Sequence, residues 1–228
     1  MHVLLLTSWD VIIGSGHYSP DPSKVACVES MQAPRTKKEM RQILGFYSYF
    51  RVFIEGFADI AKPLTDLTKK RVLHKIEWSE VHQKALDELK KRLCEATWLH
   101  IIKYGQPVGI SVDASAISVG CCLFQWSECG NEKPVAFASA KLTSTQMAWS
   151  AIEREAYAVI FALKFRNFIF ATKITVYSDH NPLMYLRECA PKSSKLTRWA
   201  LALEAFDITW CYRPGNKNQV ADCLSRLG

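Results

Sequence analysis

Three short runs, GISVDAS at 109–115, VGCCLFQ at 119–125 and PVAFASA at 134–140, decide how the second half of this chain folds. Each is rich in strand formers and small residues, and turn formers separate them, which is the pattern of an antiparallel meander. The period then changes. Apolar residues recur at helical spacing over about 151–168, KITVYSD at 173–179 reads as a strand, NPLMYL at 181–186 and SKLTRWALALEAF at 194–206 as helices, and DITWCY at 207–212 as a strand. A PGN turn at 214–216 leads into a last short helix. The order βββαβααβα predicts an α/β (α+β) fold: a five-stranded mixed sheet with helices on its faces, its strands at 108–114, 118–125, 134–139, 173–178 and 207–212.

Upstream, the chain reads as helical after residue 35. Thr36 and Glu39 make a capping box, and Met40, Ile43, Leu44, Tyr47, Phe50, Phe53 and Ile54 follow at helical spacing before Gly56. Ser79 caps a second helix, predicted to bury Val81, Ala85, Leu89 and Leu93 and to leave Lys84, Glu88, Lys91 and Arg92 in water. Between them AKPLTDL and the basic run Lys69, Lys70, Arg71 form a short helix and a loop. The turn-rich SGHYSPDPSK predicts extended chain and turns over 11–35.

Composition narrows the function classes. The chain has 228 residues, 49% of them apolar, and 29 Lys and Arg against 22 Asp and Glu, net +7. That excludes a disordered tail and a collagenous chain, and the length allows two units, each with its own core. No run approaches the roughly 18 to 20 apolar residues of a membrane span, so no membrane partner is expected. MHVLLL lacks a basic flank and a small-residue cleavage pattern, so the protein is expected inside the cell, in a cytoplasmic particle or the nucleus, and not secreted. None of the eight cysteines has CxxC spacing, and they read as scattered thiols. Residues 101–228 carry 14 basic and 10 acidic side chains, and gathering four of those acids in one site would leave the rest of that half at +8, a balance suited to a polyanion.

Those acids are the sharpest feature. Asp113 lies near the end of the first meander strand and Asp179 near the end of the fourth, so they lie side by side if those strands are parallel neighbours. Ser150 and Glu153 form a capping box, which gives Glu153 a sufficient structural task. Glu155 has no such task, and it shares a helix face with Ile152, Val159 and Ala162, where a carboxylate is costly unless it is paired or binds a cation. Asp222, in the last helix, is the fourth candidate.

In order along the chain, PDPSKV (20–25), ILGFYSYFRVFI (43–54), AKPLTDL (61–67), IEWSEVHQKALDELK (76–90), SVDAS (111–115), EREAYAV (153–159), YSDHNPL (177–183), LTRWALAL (196–203) and YRPGNKNQVADCLSR (212–226) closely resemble the C-terminal part of the reverse transcriptase of gypsy-type LTR retrotransposons. The resemblance implies a partial thumb and palm-edge remnant at 1–35, a small helical connection region at 36–104 and an RNase H-like domain at 105–228. It places Asp113, Glu155, Asp179 and Asp222 in the positions of the catalytic, metal-binding carboxylates. It implies two Mg²⁺ ions about 4 Å apart, with Mn²⁺ as a substitute, acting on the RNA strand of an RNA:DNA hybrid. The implied partners are that hybrid duplex and a polymerase-bearing reverse transcriptase chain.

The departures also count. There is no adjacent Asp-Asp pair such as the polymerase site uses, so this chain is not expected to polymerise DNA. MHVLLLTSW does not match the family and reads as the start of a truncated or re-initiated frame. The His-bearing loop of other RNases H has no counterpart where Arg213 to Asn218 run straight through. Lys69, Lys70, Arg71, His180, Arg198, Arg213 and Lys217 are candidate nucleic-acid contacts, although a basic run is as readily a solvated loop and a loop histidine merely exposed. Trp199, at helical spacing from Leu196 and Leu203, reads as core. The alternative function is a catalytically silent or domesticated retroelement fragment that binds nucleic acid or a polymerase partner.

Overall fold

The computed structural model describes residues 6–8, 11–14, 16–29, 31–69, 75–96, 98–179 and 193–214. The chain divides into two compact units, Met1–Ile101 and Ile102–Gly228.

In the first unit a small antiparallel sheet is built from β1 (Leu6–Ser8), β2 (Val11–Gly14) and β3 (His17–Pro20), to which β4 (Leu99–His100) returns. The helices are α1 (Pro22–Glu29), α2 (Lys37–Tyr49), α3 (Phe57–Ile60), α4 (Lys62–Asp66) and α5 (Glu80–Cys94). The expectation of only extended chain and turns over 11–35 leaves out α1. Its start is an Asp21 carboxylate that accepts the Ser23 N–H at 2.8 Å, followed by Pro22 at a first-turn position where a missing N–H costs nothing. At α2 the Thr36 hydroxyl accepts the Glu39 N–H at 3.2 Å as expected, but the Glu39 carboxylate closes on the Arg35 N–H at 2.7 Å, one residue upstream of the box. Met40, Tyr47, Phe50, Phe53 and Ile54 are buried, the last three beyond the end of α2, where one 3₁₀ turn, Phe50–Phe53, tightens the chain.

The buried stripe of α5 is Ala85, Leu86, Leu89 and Leu93, whereas Val81 is 61% exposed. At about 100° per residue Val81 falls roughly 90° from the centre of that stripe, and the first-turn position on it belongs to His82. There His82 does the work an acid would do in a capping box: its Nδ1 accepts the Ser79 N–H at 3.1 Å.

The second unit holds the five-stranded mixed sheet. Its strands are β5 (Val108–Ala114), β6 (Ser118–Trp126), β7 (Glu132–Lys141), β8 (Ile174–Ser178) and β9 (Ile208–Tyr212), in the order β7-β6-β5-β8-β9. The meander β5-β6-β7 is antiparallel, and β8 and β9 add to it in parallel. Helix α6 (Ser144–Met147) precedes α7 (Ala151–Ala162), and α8 (Arg166–Ile169) and α9 (Ser194–Glu204) complete the helices among the described residues. The single helix expected over 151–168 is interrupted by a 3₁₀ turn, Leu163–Phe165, between α7 and α8. Val108, Ile110 and Val112 of β5, Val119, Cys121 and Leu123 of β6, and Ala156, Val159 and Ala162 of α7 form one core with Leu196 and Leu203 of α9. Each fully buried Val or Leu contributes roughly 1.5 to 3 kcal/mol, and the small alanines on α7 let the helix sit close to the sheet. Cys121 and Cys122 are both buried, and neither forms a disulfide. Among the described residues no helix is long and apolar enough to cross a membrane. NPLMYL, the PGN turn beyond Pro214 and the expected last helix lie outside the described residues.

Candidate metal centre

Parallel pairing sets two acids level with one another. The β5–β8 register puts Ser111 opposite Tyr177, and two residues further along each strand come Asp113 and Asp179. Asp113 is 8% exposed within β5, and Asp179 is the first residue after β8. The third acid comes from α7, which packs across β5 and β6 and presents Glu155, 5% exposed, from its second turn. One carboxylate oxygen from each of Asp113, Glu155 and Asp179 lies within 4.8 Å of the others.

Glu153 is committed elsewhere. Its backbone N–H donates to the Ser150 hydroxyl at 3.3 Å, its own carboxylate accepts the Ser150 N–H at 3.3 Å, and Lys195 Nζ lies 2.8 Å from its other oxygen. The capping box therefore decides which of two nearby glutamates turns inward.

The electrostatics of the cluster are those of crowded anions. Burial, then Asp113, then Asp179 push the Glu155 carboxyl up to about 8, opposed by the Ala114 backbone and the nearby Arg154. Like charges at this range do not all stay ionised unless a cation offsets them. Glu155 Oε2 is buried with no hydrogen-bond partner. An orphaned buried oxygen beside two further carboxylates is a donor set that suits a hard divalent cation such as Mg²⁺ or Mn²⁺.

The remaining candidate residues fall into two groups. Asp222, His180, Lys70, Arg71 and Lys217 lie outside the described residues. Lys69, in the first unit, pairs with Asp66 at 3.0 Å. Arg198 donates from Nε to the Ser194 carbonyl at 3.2 Å on its own helix. Arg213 lies over the Tyr177 ring at 3.9 Å, pairs with Glu132 and reaches the Ser111 hydroxyl at 3.4 Å, so its guanidinium is engaged with the sheet. Trp199 packs against the core, 5.5 Å from Trp149 and 5.9 Å from Tyr157. Sequence reasoning missed Lys195, whose ammonium sits 4.0 Å from the Trp149 ring centroid while paired to Glu153, and Arg154, whose only signal was its place beside Glu155.

Residues 103–206 match the family described as the RNase H-like domain found in reverse transcriptase. That stretch is similar to the RNase H-like domain of reverse transcriptases. Over 227 residues the chain is 33% identical to the retrovirus-related Pol polyprotein from transposon opus of Drosophila melanogaster, covering 95% of this chain and 22% of that protein. It is 31% identical over 215 residues to the transposon Tf2-3 polyprotein of Schizosaccharomyces pombe, covering 92% of this chain and 16% of that one. The chain thus spans about a fifth of the length of these relatives. Among solved structures it is similar to the foamy viral protease-reverse transcriptase in complex with an RNA/DNA hybrid, with TM-score 0.79 and 25% identity over 92% of this chain and 29% of that one. The mixed sheet with flanking helices is the RNase H-like fold, and a nuclease or nucleic-acid-binding role fits it.

Proposed function

We propose that this chain cleaves the RNA strand of RNA:DNA hybrids by metal-assisted hydrolysis, as the RNase H portion of a gypsy-type LTR retrotransposon reverse transcriptase. The observation that carries the reading is the meeting of Asp113, Glu155 and Asp179 from two strands and a helix, with one buried glutamate oxygen unpartnered. These three residues, with Asp222 added on the strength of the resemblance, would hold two divalent ions, Mg²⁺ by preference. Such ions, when bound, polarise the scissile phosphate and stabilise charge on the attacking and leaving oxygens. The chain's own contribution is to hold the donors rigid: two come from paired strands and one from a helix packed across the sheet. The hydrophobic layer beneath them keeps water out of the sheet. The hybrid would be read through its shape, phosphates and 2′-hydroxyls, with little base specificity. Without a polymerase Asp-Asp pair the chain does not extend primers, and it works with a polymerase-bearing chain inside the cell. In this reading residues 1–35 are a thumb and palm-edge remnant and 36–104 a connection region.

The test is incubation of the purified chain with an end-labelled RNA:DNA hybrid in Mg²⁺, Mn²⁺ or EDTA, beside Asp113→Asn. Cleavage of the RNA strand alone, absent in EDTA and in the variant, is expected. Equal cleavage by parent and variant would overturn the metal mechanism. Salt-sensitive hybrid binding without any cleavage would move the protein to the silent, binding-only role.

A further inference from the structure

One residue past Asp113 the chain leaves β5 through a short turn to β6, and Arg154 of α7 grips that turn. The Arg154 guanidinium donates from one terminal nitrogen to the Ser115 carbonyl at 2.8 Å. Within the turn, the Ser115 hydroxyl accepts the N–H groups of Ile117 at 3.1 Å and Ser118 at 2.9 Å, and the Ser115 N–H reaches the Ser118 carbonyl at 2.9 Å. The turn is therefore rigid in itself, and its attachment to α7 sets how far Asp113 stands from Glu155.

Arg154 is costly where it stands. Its Nε is buried with no hydrogen-bond partner, and its positive charge sits beside a cluster suited to cations, where it would repel a bound dication. A residue kept for charge balance alone would be better replaced by a neutral one once metal is bound. We propose that Arg154 is a positioning residue of the metal centre, holding the Asp113 turn against α7 so that the carboxylates stay at ligand spacing; this rests on the metal-binding reading of Asp113, Glu155 and Asp179. Outer partners that orient ligands typically change metal affinity or activity by roughly 10- to 100-fold when removed.

The two roles Arg154 could play differ in sign, which makes the test decisive. Loss of a mere positive charge tightens cation binding, whereas loss of the clasp weakens it. The experiment is calorimetric titration of Mn²⁺ into the full chain for the parent, Arg154→Gln, Arg154→Lys and the control Glu153→Gln, with thermal melting in EDTA and hybrid cleavage across a Mn²⁺ series. Arg154→Gln should bind Mn²⁺ roughly 10- to 100-fold more weakly, with cleavage regained at high Mn²⁺. Arg154→Lys, which keeps one donor, should fall between, and Glu153→Gln should match the parent. Parent-like or tighter binding in Arg154→Gln overturns the inference, whatever its melting temperature. If Arg154→Gln does not fold, Arg154→Lys decides, since it keeps the charge and loses the guanidinium reach: a few-fold weaker Mn²⁺ binding supports the clasp, and parent-like binding overturns it. A parent that binds no Mn²⁺ at all overturns the metal-centre reading itself, a result distinct from a binding parent and unaffected variants.

Discussion

The ring of Phe124 occupies the space that a side chain on Gly109 would need. The two residues face each other across the antiparallel β5–β6 pair, and a Cβ at position 109 would meet Cε1, Cε2 and Cζ of the ring, none farther than 2.9 Å away. Phe124 is itself buried and rests against Trp126 and Tyr177. Gly109→Ala therefore drives the ring out of its place and should cost roughly 2 to 3 kcal/mol in urea unfolding, the range of overpacked cores. In Phe124→Ala the same alanine should cost far less, and a double-mutant cycle without that coupling would refute the packing.

Glu155 makes stability depend on pH in the absence of metal. Its carboxyl is raised from 4.5 to about 8, so between those values the folded chain holds a proton that the unfolded chain has lost. Stability must then fall as pH rises through that window. In EDTA, Glu155→Gln should gain on the order of 2 kcal/mol over the parent at pH 8 and nothing at pH 4. Melting curves at both pH values check this, and Mn²⁺ should restore the parent alone. A gain independent of pH would show that the charge is not the cause.

A second, half-buried glutamate behaves alike without any link to metal. In the first unit burial pushes Glu55 up to about 7, opposed by the charge of Arg92, and its Oε1 has no hydrogen-bond partner. The sign is the same: stability is present below about 4.5 and drains as pH climbs toward 7. Glu55→Gln should stabilise the chain at pH 7.5 by roughly 1 kcal/mol and leave Mn²⁺ binding unaltered. The same melting series, run with and without Mn²⁺, separates it from Glu155.

Lys195 joins α9 to the start of α7 through an ion pair and a ring face. Its ammonium is 2.8 Å from Glu153 and lies over both Trp149 and Trp199. Replacing it by Met keeps the stem and removes the charge, and should cost about 1 to 2 kcal/mol. Glu153→Gln retains the cap and should cost less. A cycle over the two positions should show a coupling of about 0.5 to 1 kcal/mol, and additivity would mean the pair contributes nothing.

What could be read from the sequence depended on how local the cause was. The sheet was legible because each strand carries its own alternation and turn formers, and because a parallel fourth strand was enough to set Asp113 beside Asp179. Glu155 was separable from Glu153 because Ser150, three residues before Glu153, supplies a cap that occupies one glutamate and leaves the other. Distant causes stayed hidden. The two-residue strand β4 exists only because the chain returns there to β3, and the break at Leu163–Phe165 carries no proline or glycine to announce it. Val81 was misplaced because a stripe's centre drifts with each turn, and Arg154 was invisible because its partner is a backbone carbonyl, which no residue type reveals.

The parallel contact between β5 and β8 also has a kinetic meaning. Asp113 and Asp179 stand 66 positions apart, and no local turn can join two parallel strands, so everything between them must be laid down as a crossover before the acids meet. That closure is slow and costs entropy before any contact repays it. A divalent ion bound there would therefore arrive at a finished site and take no part in finding it. In stopped-flow experiments Mn²⁺ should leave the refolding rate unchanged and appear almost wholly as slower unfolding, the behaviour of an interaction absent from the transition state.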